Sequence, residues 1–335
     1  MKWTKLTLNT TTQALDYLGA IAMDLGLEGF EIEDNVPLSE EDKKKMFIDI
    51  LPELPRDDGK ARVSFYVSED TDTDSLLDDI KREAGEYSDF CDFGEMTFVV
   101  GTTDDSDYIN NWKKYFKSFR VGESLVIRPT WEKETPDLKE GDVVIEIDPG
   151  TAFGTGAHET TKLCLLAMKR YMKRDDAFID IGCGSGILSI ASILFGAKDA
   201  FGIDIDDNAT RIAVENARIN EIGAAYSPDL DGVDVAGREK GSILFATGNL
   251  LEKKELPDSL KGLTFDFAAA NILADIIIPL APYARELVRT GGVFTCSGIL
   301  TTKEGSVMEA LVANGFEILE VERMGEWSGI TARAV

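Results

Sequence analysis

Three glycines at alternate positions mark the stretch of this sequence whose chemistry is easiest to interpret. Gly182, Gly184 and Gly186 follow a short apolar run that contains Asp180, and a helical pattern of apolar residues begins directly after them. Strand, tight loop and helix in this order predict a nucleotide-binding turn, because glycine permits a sharp turn and leaves room for a ligand on the N-H groups of the helix start. Asp204 ends the next predicted strand about 20 residues later, where a carboxylate can bind both hydroxyls of a ribose. The predicted ligand therefore contains adenosine.

The spacing of these glycines distinguishes two classes of adenosine cofactor. Dinucleotide sites usually carry G-x-G-x-x-G and direct a helix N-terminus at a pyrophosphate, whereas this chain has G-x-G-x-G with Asp180 beside it. A carboxylate repels phosphate but attracts the sulfonium and ammonium groups of S-adenosylmethionine. The sequence therefore favours S-adenosylmethionine. A nicotinamide or flavin dinucleotide is the alternative ligand, and a glycine turn that binds nothing is the purely structural alternative.

A second Gly- and Thr-rich stretch, residues 148–161, precedes a helix predicted over 162–172 and contains His158, the only histidine of the chain. A single histidine without nearby cysteines cannot form a zinc site, and no motif here supports a Ser-His-Asp triad. We expect this loop to close over one end of the cofactor. We expect His158 to cap the helix or to pack on the cofactor, with a general-base role as the alternative.

Two asparagines follow later predicted strands. Asn249 comes after the strand predicted over 243–246, where an amide could contact adenine. Asn271 ends the strand that begins at Phe265. Because the carboxyl ends of the strands line the ligand crevice in doubly wound sheets, we expect Asn271 to point at the site.

The elements that carry these residues predict a doubly wound α/β domain. Helices over 209–220, 277–287 and 303–313 alternate with the strands, and two final strands, 317–322 and 329–335, close the sheet as an antiparallel hairpin. Such a hairpin is typical of the S-adenosylmethionine methyltransferase sheet and foreign to the dinucleotide-binding version. The fold class is therefore a Rossmann-like class I methyltransferase sheet. The Gly-, Asp- and Ala-rich segment 223–242 is predicted as an insertion without regular structure.

The N-terminal third predicts a smaller domain of the ferredoxin-like α+β type. Its pattern is strand, helix, strand, strand, helix, strand, and an additional short extended segment is predicted at 46–51. It has no convergent histidines, cysteines or paired acids, so we assign it to substrate recognition, with a structural appendage as the alternative. The aromatic-rich segment 107–119 predicts a helical connector. The domains are placed at 1–103 (recognition), 104–122 (helical linker) and 123–335 (methyltransferase).

The composition restricts the partners. The chain has 61 acidic and 35 basic residues and a net charge of -26, which should repel nucleic acid and attract a basic partner. No signal-peptide pattern occurs at the N-terminus, and no run approaches the roughly 18 apolar residues of a membrane span. The four cysteines are scattered, as expected for reduced cytosolic thiols. We therefore expect a cytoplasmic monomer that binds no metal, nucleic acid or membrane.

The sequence resembles the PrmA family, the methyltransferases of large-subunit ribosomal protein eleven. The resemblance extends essentially from end to end. Four motifs carry it: A-F-G-T-G-A-H-E-T-T at 152–161, D-I-G-C-G-S-G-I-L at 180–188, G-I-D-I-D at 202–206 and N-I-L-A at 271–274. Tyr108 stands where the family tends to have tryptophan, and the acidic insertion at 223–242 is unusual for it.

The resemblance implies trimethylation of lysine side chains and of the N-terminal amine of a basic ribosomal protein, the large-subunit protein eleven. It also implies that the N-terminal domain recognises this substrate while the linker swings it over the catalytic domain. By position, Thr161, Gly182, Asp204 and Asn271 match the cofactor contacts of the family. The alternatives are a methyltransferase of another basic protein, a nicotinamide-dependent oxidoreductase and a non-catalytic cofactor-binding module. Glutamine or adenine methylation is disfavoured, because Asn271 is followed by Ile-Leu and not by Pro-Pro and an aromatic residue.

The chemistry requires a neutral amine. A lysine with a pKa near 10.4 is neutral only about once in a few thousand molecules at pH 7, so the site must desolvate the amine or offer it acceptors. We hypothesise that Asn271, through its side-chain oxygen, and the following backbone carbonyls orient the amine, which loses its proton to water. Asn271 is thus the predicted catalytic residue, and the predicted cofactor-binding residues are Phe153, Gly154, Thr155, Thr161, Asp180, Gly182, Gly184, Gly186, Asp204, Asn249 and Asn271.

Overall fold

A computed structural model describes residues 2–27, 30–36, 56–68, 70–88, 90–104, 117–132, 138–148, 156–252 and 254–335. The predictions for Phe153, Gly154 and Thr155, for the extended segment at 46–51 and for most of the connector 107–119 lie outside these residues. The chain divides into two compact units, residues 1–115 and 116–335, which we call the N-terminal unit and, following the sequence prediction, the catalytic unit.

The described residues of the N-terminal unit form a four-stranded antiparallel sheet and two helices. The apolar residues of β1 alternate with polar ones, and Leu6 and Leu8 enter a core shared with Leu18, Ile80 and their neighbours on the helices. The sheet order is β2-β3-β1-β4, which confirms the ferredoxin-like prediction. The elements are β1 (Lys2–Thr11), α1 (Leu15–Asp24), β2 (Phe30–Glu33), β3 (Lys60–Ser68), α2 (Thr73–Glu86) and β4 (Thr97–Asp104).

The catalytic unit begins with a small three-stranded sheet. Its strands are β5 (Phe119–Val121), β6 (Leu125–Pro129) and β7 (Val143–Ile147), and helix α3 (Glu159–Tyr171) follows. The helical linker predicted over 104–122 therefore does not reach its predicted end, because Phe119–Val121 pairs with β6 as a strand.

The main sheet of the catalytic unit has eight strands in the order β10-β11-β9-β8-β12-β13-β15-β14. Neighbours are parallel from β10 to β13, and β15 is antiparallel to both β13 and β14. This arrangement confirms the Rossmann-like sheet with its terminal antiparallel hairpin. The elements are β8 (Ala177–Ile181), α4 (Ile187–Leu194), β9 (Asp199–Asp204), α5 (Asp207–Ile219), β10 (Gly223–Ser227), β11 (Ser242–Thr247), β12 (Phe265–Asn271), α6 (Ala274–Leu287), β13 (Val288–Leu300), α7 (Glu304–Ala313), β14 (Phe316–Met324) and β15 (Trp327–Ala334).

The insertion 223–242 is partly regular, which corrects the sequence prediction. Residues 223–227 form the edge strand β10, which pairs in parallel with β11. Later in the insertion, Arg238 donates from Nε to Asp199 Oδ1 (2.9 Å), and its guanidinium lies 4.9 Å from the centre of the Phe265 ring. Because the Asp199 side chain is almost fully buried, this ion pair ties the insertion to the main sheet.

The parallel strands end at a common edge. Asp180 on β8 is in register with Ala269 on β12 and with Gly202 on β9. Asn271 and Asp204, each two residues beyond those partners, consequently end the flanking strands at the same edge of the sheet. This alignment brings residues that are distant in sequence to the place where doubly wound sheets bind ligands.

Candidate functional site

The glycine loop joins β8 to α4, and several of its N-H groups are used within the protein. The N-H groups of Gly182 and Cys183 donate to the carbonyl oxygen of Ile203 (2.8 and 2.9 Å). The N-H of Gly184 donates to Asp204 Oδ2 (2.8 Å). These three N-H groups are therefore used within the protein, and the expectation that a ligand rests on the N-H groups of the helix start stays a prediction.

Close packing explains why two of these positions are glycine. Gly182 and Gly186 have φ values of +78° and +80°, which lie in the left-handed region that glycine tolerates. A Cβ at Gly182 would lie 2.4 Å from Cγ2 of Ile272, and one at Gly186 would lie 2.8 Å from Cβ of Ala213. The loop is therefore pressed against the turn after β12 and against α5. Direct contact of these glycines and of Gly184 with the cofactor stays a prediction.

Asp180 presents an unused acceptor oxygen inside the protein. Its side chain is fully buried, and Oδ2 accepts hydrogen bonds from the N-H (3.0 Å) and the hydroxyl (2.7 Å) of Ser189 on α4. Oδ1 is also buried and has no hydrogen-bond partner among the described residues. Burial raises the pKa of the Asp180 carboxyl to about 7, although the Ser189 hydrogen bonds lower it, and the negative charge of Asp204 adds to the rise. The carboxyl therefore titrates near neutral pH.

Asp204 lies at the edge of the sheet where the parallel strands end, and it also binds the glycine loop. Its Oδ2 accepts the Gly184 N-H, and its Oδ1 accepts the N-H of Asp206 (3.0 Å). A carboxylate has about four acceptor positions, so both oxygens keep capacity for ribose hydroxyls. Asp204 can therefore still accept hydrogen bonds from ribose hydroxyls, and the ribose contact stays a prediction.

Two further residues lie at the same edge on the side of β9 and β11. The side chain of Ile205 is 73% exposed and offers an apolar surface next to Asp204. Sequence reasoning missed it, although an isoleucine among the aspartates of a strand end was an available signal. Asn249 is exposed, and its Oδ1 accepts the N-H of Leu251 (2.9 Å) in a local turn. The predicted adenine contact of Asn249, through its side-chain amide or the backbone, stays a prediction.

Thr161 and Asn271 form one unit although 110 residues separate them. Thr161 is fully buried in the first turn of α3, and its Oγ1 accepts a hydrogen bond from Nδ2 of Asn271 (3.1 Å). This bond fixes the amide plane. The opposite atom, Asn271 Oδ1, is buried and has no hydrogen-bond partner among the described residues.

His158 caps helix α3, as one of the sequence interpretations expected. It has extended backbone angles at the N-cap, and its Nδ1 accepts the N-H of Thr160 (3.4 Å) and lies 2.9 Å from the Thr160 hydroxyl. The ring meets Trp327 edge-on, with 5.1 Å between the ring centres. Because the lone pair of Nδ1 serves the cap, this nitrogen is not available to act as a base.

The described residues fit a cationic adenosine ligand better than a pyrophosphate. Within the described part of the chain, the buried side-chain polar atoms without a partner are two acceptor oxygens, Asp180 Oδ1 and Asn271 Oδ1. They lie at the ends of the adjacent strands β8 and β12. Ammonium and sulfonium groups favour acceptor oxygens, whereas phosphate needs donors, and the N-H groups of Gly182, Cys183 and Gly184 already donate within the protein. The residues present therefore fit S-adenosylmethionine.

Comparison with known proteins gives one consistent result. A family model described as "Ribosomal protein L11 methyltransferase (PrmA)" matches residues 2–334. The ribosomal protein L11 methyltransferases of Lachnoclostridium phytofermentans and Lachnospira eligens are 47% and 43% identical to this chain, each over 99% of both chains. The crystal structure of the ribosomal protein L11 methylase from Lactobacillus delbrueckii subsp. bulgaricus matches with a TM-score of 0.54 and 30% identity, covering 65% of this chain and 100% of that one. This chain therefore belongs to the ribosomal protein L11 methyltransferase (PrmA) family.

Proposed function

We propose that this chain transfers methyl groups from S-adenosylmethionine to lysine side-chain and N-terminal amino groups of ribosomal protein L11. The observation that carries the proposal is the pair of buried, unpartnered acceptor oxygens, Asp180 Oδ1 and Asn271 Oδ1, at adjacent strand ends. Asp180 serves the positively charged end of the cofactor, and Asn271 serves the acceptor amine. The alternatives of a dinucleotide oxidoreductase and of another protein substrate have no observation in their favour.

The cofactor is held by residues on three strand ends. We assign the ribose to Asp204, and the apolar surface of Ile205 to one face of the adenine. Thr161 acts by holding the Asn271 amide through its 3.1 Å hydrogen bond. When bound, S-adenosylmethionine supplies a methyl group whose bond to the positively charged sulfur breaks as the amine nitrogen bonds to carbon.

The acceptors for the amine are the Asn271 side chain and one backbone carbonyl. The Leu273 carbonyl oxygen already accepts the N-H groups of Ile276 (2.9 Å) and Ile277 (3.0 Å) at the start of α6. Of the carbonyls after Asn271 that the sequence hypothesis included, we therefore keep that of Ile272. Two oxygens on a fixed turn orient the lone pair of a neutral amine, and the amine proton leaves to water.

The test is the intact mass of purified L11 after incubation with the enzyme and S-adenosylmethionine. We expect several mass increments of about 14 Da, absent when Asp204→Ala replaces the wild-type enzyme. An unchanged mass of L11, with cofactor binding intact in the wild type, would reject L11 as the substrate. Transfer to other basic proteins but not to L11 would favour the alternative substrate class.

We further propose that the N-terminal unit recognises L11 through the face of its sheet that lies opposite α1 and α2. Lys5, Glu31 and Tyr66 lie on this face, where Glu31 Oε2 accepts hydrogen bonds from Lys5 Nζ (2.9 Å) and from the Tyr66 hydroxyl (2.6 Å). Val99, in register with Thr7 on the same face, is 60% exposed on the edge strand β4. The face is therefore a preorganised surface with an apolar margin.

Replacing Val99 by lysine is expected to raise the KM for L11 by about fivefold, because it adds a like charge to a surface that meets a basic substrate. The kcat and the Kd of the cofactor should not change. The matched control is Val312→Lys on α7, where the valine is 57% exposed in the catalytic unit. An equal rise of KM in both variants would refute recognition by this face.

Removal of the His158 cap separates its structural role from base catalysis. His158→Ala should lower the free energy of unfolding by about 1 kcal/mol, whereas His158→Asn keeps a side-chain acceptor at the N-cap and should lose only a few tenths. Denaturant unfolding measures both. Because His158 is not the base in our proposal, the kcat of His158→Asn should stay within about threefold of wild type. A hundredfold loss of kcat in the folded asparagine variant would restore the general-base role.

We propose in addition that the protein is a cytoplasmic monomer that does not bind nucleic acid. The support is the net charge of -26, which disfavours contact with phosphate backbones. Among the described helices, none is long and apolar enough to span a bilayer. Sedimentation of the purified protein with and without ribosomal RNA tests both the mass and the lack of RNA binding.

A further inference from the structure

A β-bulge in β13 presses against the turn that follows Asn271. The pairing of β13 with β15 shifts register between Cys296 and Ile299, and the residues inside the shift are Ser297 and Gly298. Gly298 has a φ of +85°, and a Cβ there would lie 2.3 Å from the carbonyl oxygen of Ile272. Bulges next to active sites commonly re-aim neighbouring groups. Here the bulge lies against the Ile272 carbonyl, which we propose as an acceptor for the substrate amine.

Ser297 connects this turn to the terminal hairpin. Its carbonyl oxygen accepts the N-H of Ile272 (3.1 Å), and its hydroxyl donates to the carbonyl oxygen of Ser328 on β15 (3.0 Å). Ser297 and Ser328 are both fully buried. The hydroxyl of Ser297 therefore fixes the residue whose backbone holds the turn.

The hydrogen bonds continue from Ser328 to an ion pair at the surface. The Ser328 hydroxyl donates to Glu304 Oε2 (2.8 Å), and the guanidinium of Arg323 donates to both carboxylate oxygens of Glu304 (2.8 and 2.7 Å). These donors lower the pKa of Glu304, led by the Arg323 hydrogen bonds, so the group stays a carboxylate. A continuous polar chain thus runs from Arg323 to Ile272, although its members come from four separate elements and the turn after β12.

We propose that Ser297, Ser328 and Glu304 are positioning residues that hold the Asn271–Ile272 turn in the geometry that orients the acceptor amine. The inference rests on the proposed amine-orienting function of this turn. It adds residues that need not touch cofactor or substrate. Because misplacement of a reacting group by about 1 Å can cost up to about a hundredfold in rate, loss of this support is expected to lower kcat.

The main test compares two variants of β13. Ser297→Ala removes the hydroxyl that binds Ser328. Thr295→Val removes a hydroxyl that bonds to Thr331 Oγ1 (3.2 Å) between the same two strands, in a similarly buried position. Both variants should lower the melting temperature to a similar extent. Only Ser297→Ala should lower kcat, by about tenfold, while the Kd of S-adenosylhomocysteine stays within about twofold.

A second variant and a second measurement complete the test. Ser328→Ala removes the link to Glu304 and leaves the Ser328 carbonyl in place, so its kcat should fall by less than that of Ser297→Ala. Hydrogen exchange of the amide of Ile272, measured without L11, should be faster in Ser297→Ala than in Thr295→Val. Hydrogen exchange separates this inference from the proposed function. If the wild type fails to methylate L11, the proposed substrate is refuted, but the exchange comparison still tests whether Ser297 holds the turn.

Two outcomes would overturn the inference. One is unchanged Ile272 exchange and unchanged kcat in both serine variants. The other is a rise in the Kd of S-adenosylhomocysteine by the same factor as the fall in kcat, which would indicate general damage to the site. Slower turnover of Ser297→Ala, with faster exchange of the Ile272 amide and unchanged cofactor affinity, would support the inference.

Discussion

Asn271→Ala is expected to lower kcat by about a hundredfold or more while the Kd of the cofactor changes by less than about fivefold. The amide oxygen is buried, has no partner among the described residues and is held in place by the 3.1 Å bond from Nδ2 to Thr161. A preorganised group of this kind acts mainly on the reacting amine, and removal of one such group typically costs about 10² to 10³ in rate. Alanine keeps the strand end but offers no acceptor.

The measurement is kcat with saturating cofactor and L11, together with the Kd of S-adenosylhomocysteine by calorimetry. Asn314→Ala is the matched control, because that asparagine, the C-cap of α7, also makes a single described side-chain bond, from Nδ2 to the carbonyl oxygen of Ala310 (2.8 Å). Thr161→Val should give an intermediate loss of kcat, since the amide oxygen remains but its orientation is no longer fixed. Equal losses in turnover and in cofactor affinity would refute the orienting role of Asn271.

Cofactor binding is expected to strengthen about tenfold per pH unit between about pH 5 and 7 and to level off above that range. The pKa of the Asp180 carboxyl is about 7 in the cofactor-free protein. A positively charged ligand next to the unpartnered Oδ1 favours the ionised carboxylate, so binding below this pKa must release a proton. Calorimetry in two buffers with different ionisation enthalpies measures that proton. Asp180→Asn should bind weakly and without this pH dependence.

The same carboxyl makes the cofactor-free protein less stable as the pH rises. Its pKa is above the ordinary value of 3.8, so the folded state holds a proton that the unfolded state has already lost. This contribution is complete below about pH 4 and is lost as the pH rises to about 7, and its full size is about 4 kcal/mol. The difference in unfolding free energy between wild type and Asp180→Asn isolates it. A difference that is independent of pH would show that Asp180 is ionised throughout this range.

Much of the fold can be predicted from the local sequence pattern, and strand β10 shows where such prediction fails. The alternation of β1, the glycine loop and the terminal hairpin each depend on neighbours in sequence, and the structure confirms them. Strand β10 was missed because its residues, G-A-A-Y-S, have no β-branched side chains. Its pairing with β11 begins 19 residues further along the chain and is stabilised by contacts such as that of Arg238 with Asp199.

The candidate site, like the fold, can be predicted from the sequence only in part. Residue type and strand position led to the predictions of Asp180, Asp204 and Asn271, and the Gly- and Thr-rich stretch led to that of Thr161. Their contacts with cofactor and amine stay predictions. The partner of Asp180 is Ser189, which belongs to an ordinary helix pattern and has no signal of its own. Whether a loop N-H is used internally, or a carboxyl is buried enough to change its pKa, depends on packing from several elements. The sequence motif alone therefore does not predict these properties of the site.

The position of β15 between β13 and β14 has a consequence for biosynthesis. The N-terminal unit is continuous in sequence, so its sheet can form while the ribosome is still translating the catalytic unit. The main sheet cannot be completed until residues 327–334 have left the exit tunnel, because this late strand lies between β13 and β14. Trp327 and Ser328, which contact His158 and Ser297, also arrive only then. A nascent chain therefore acquires the N-terminal unit, for which we propose substrate recognition, well before it completes the main sheet, and the supports of the turn after Asn271 are completed last.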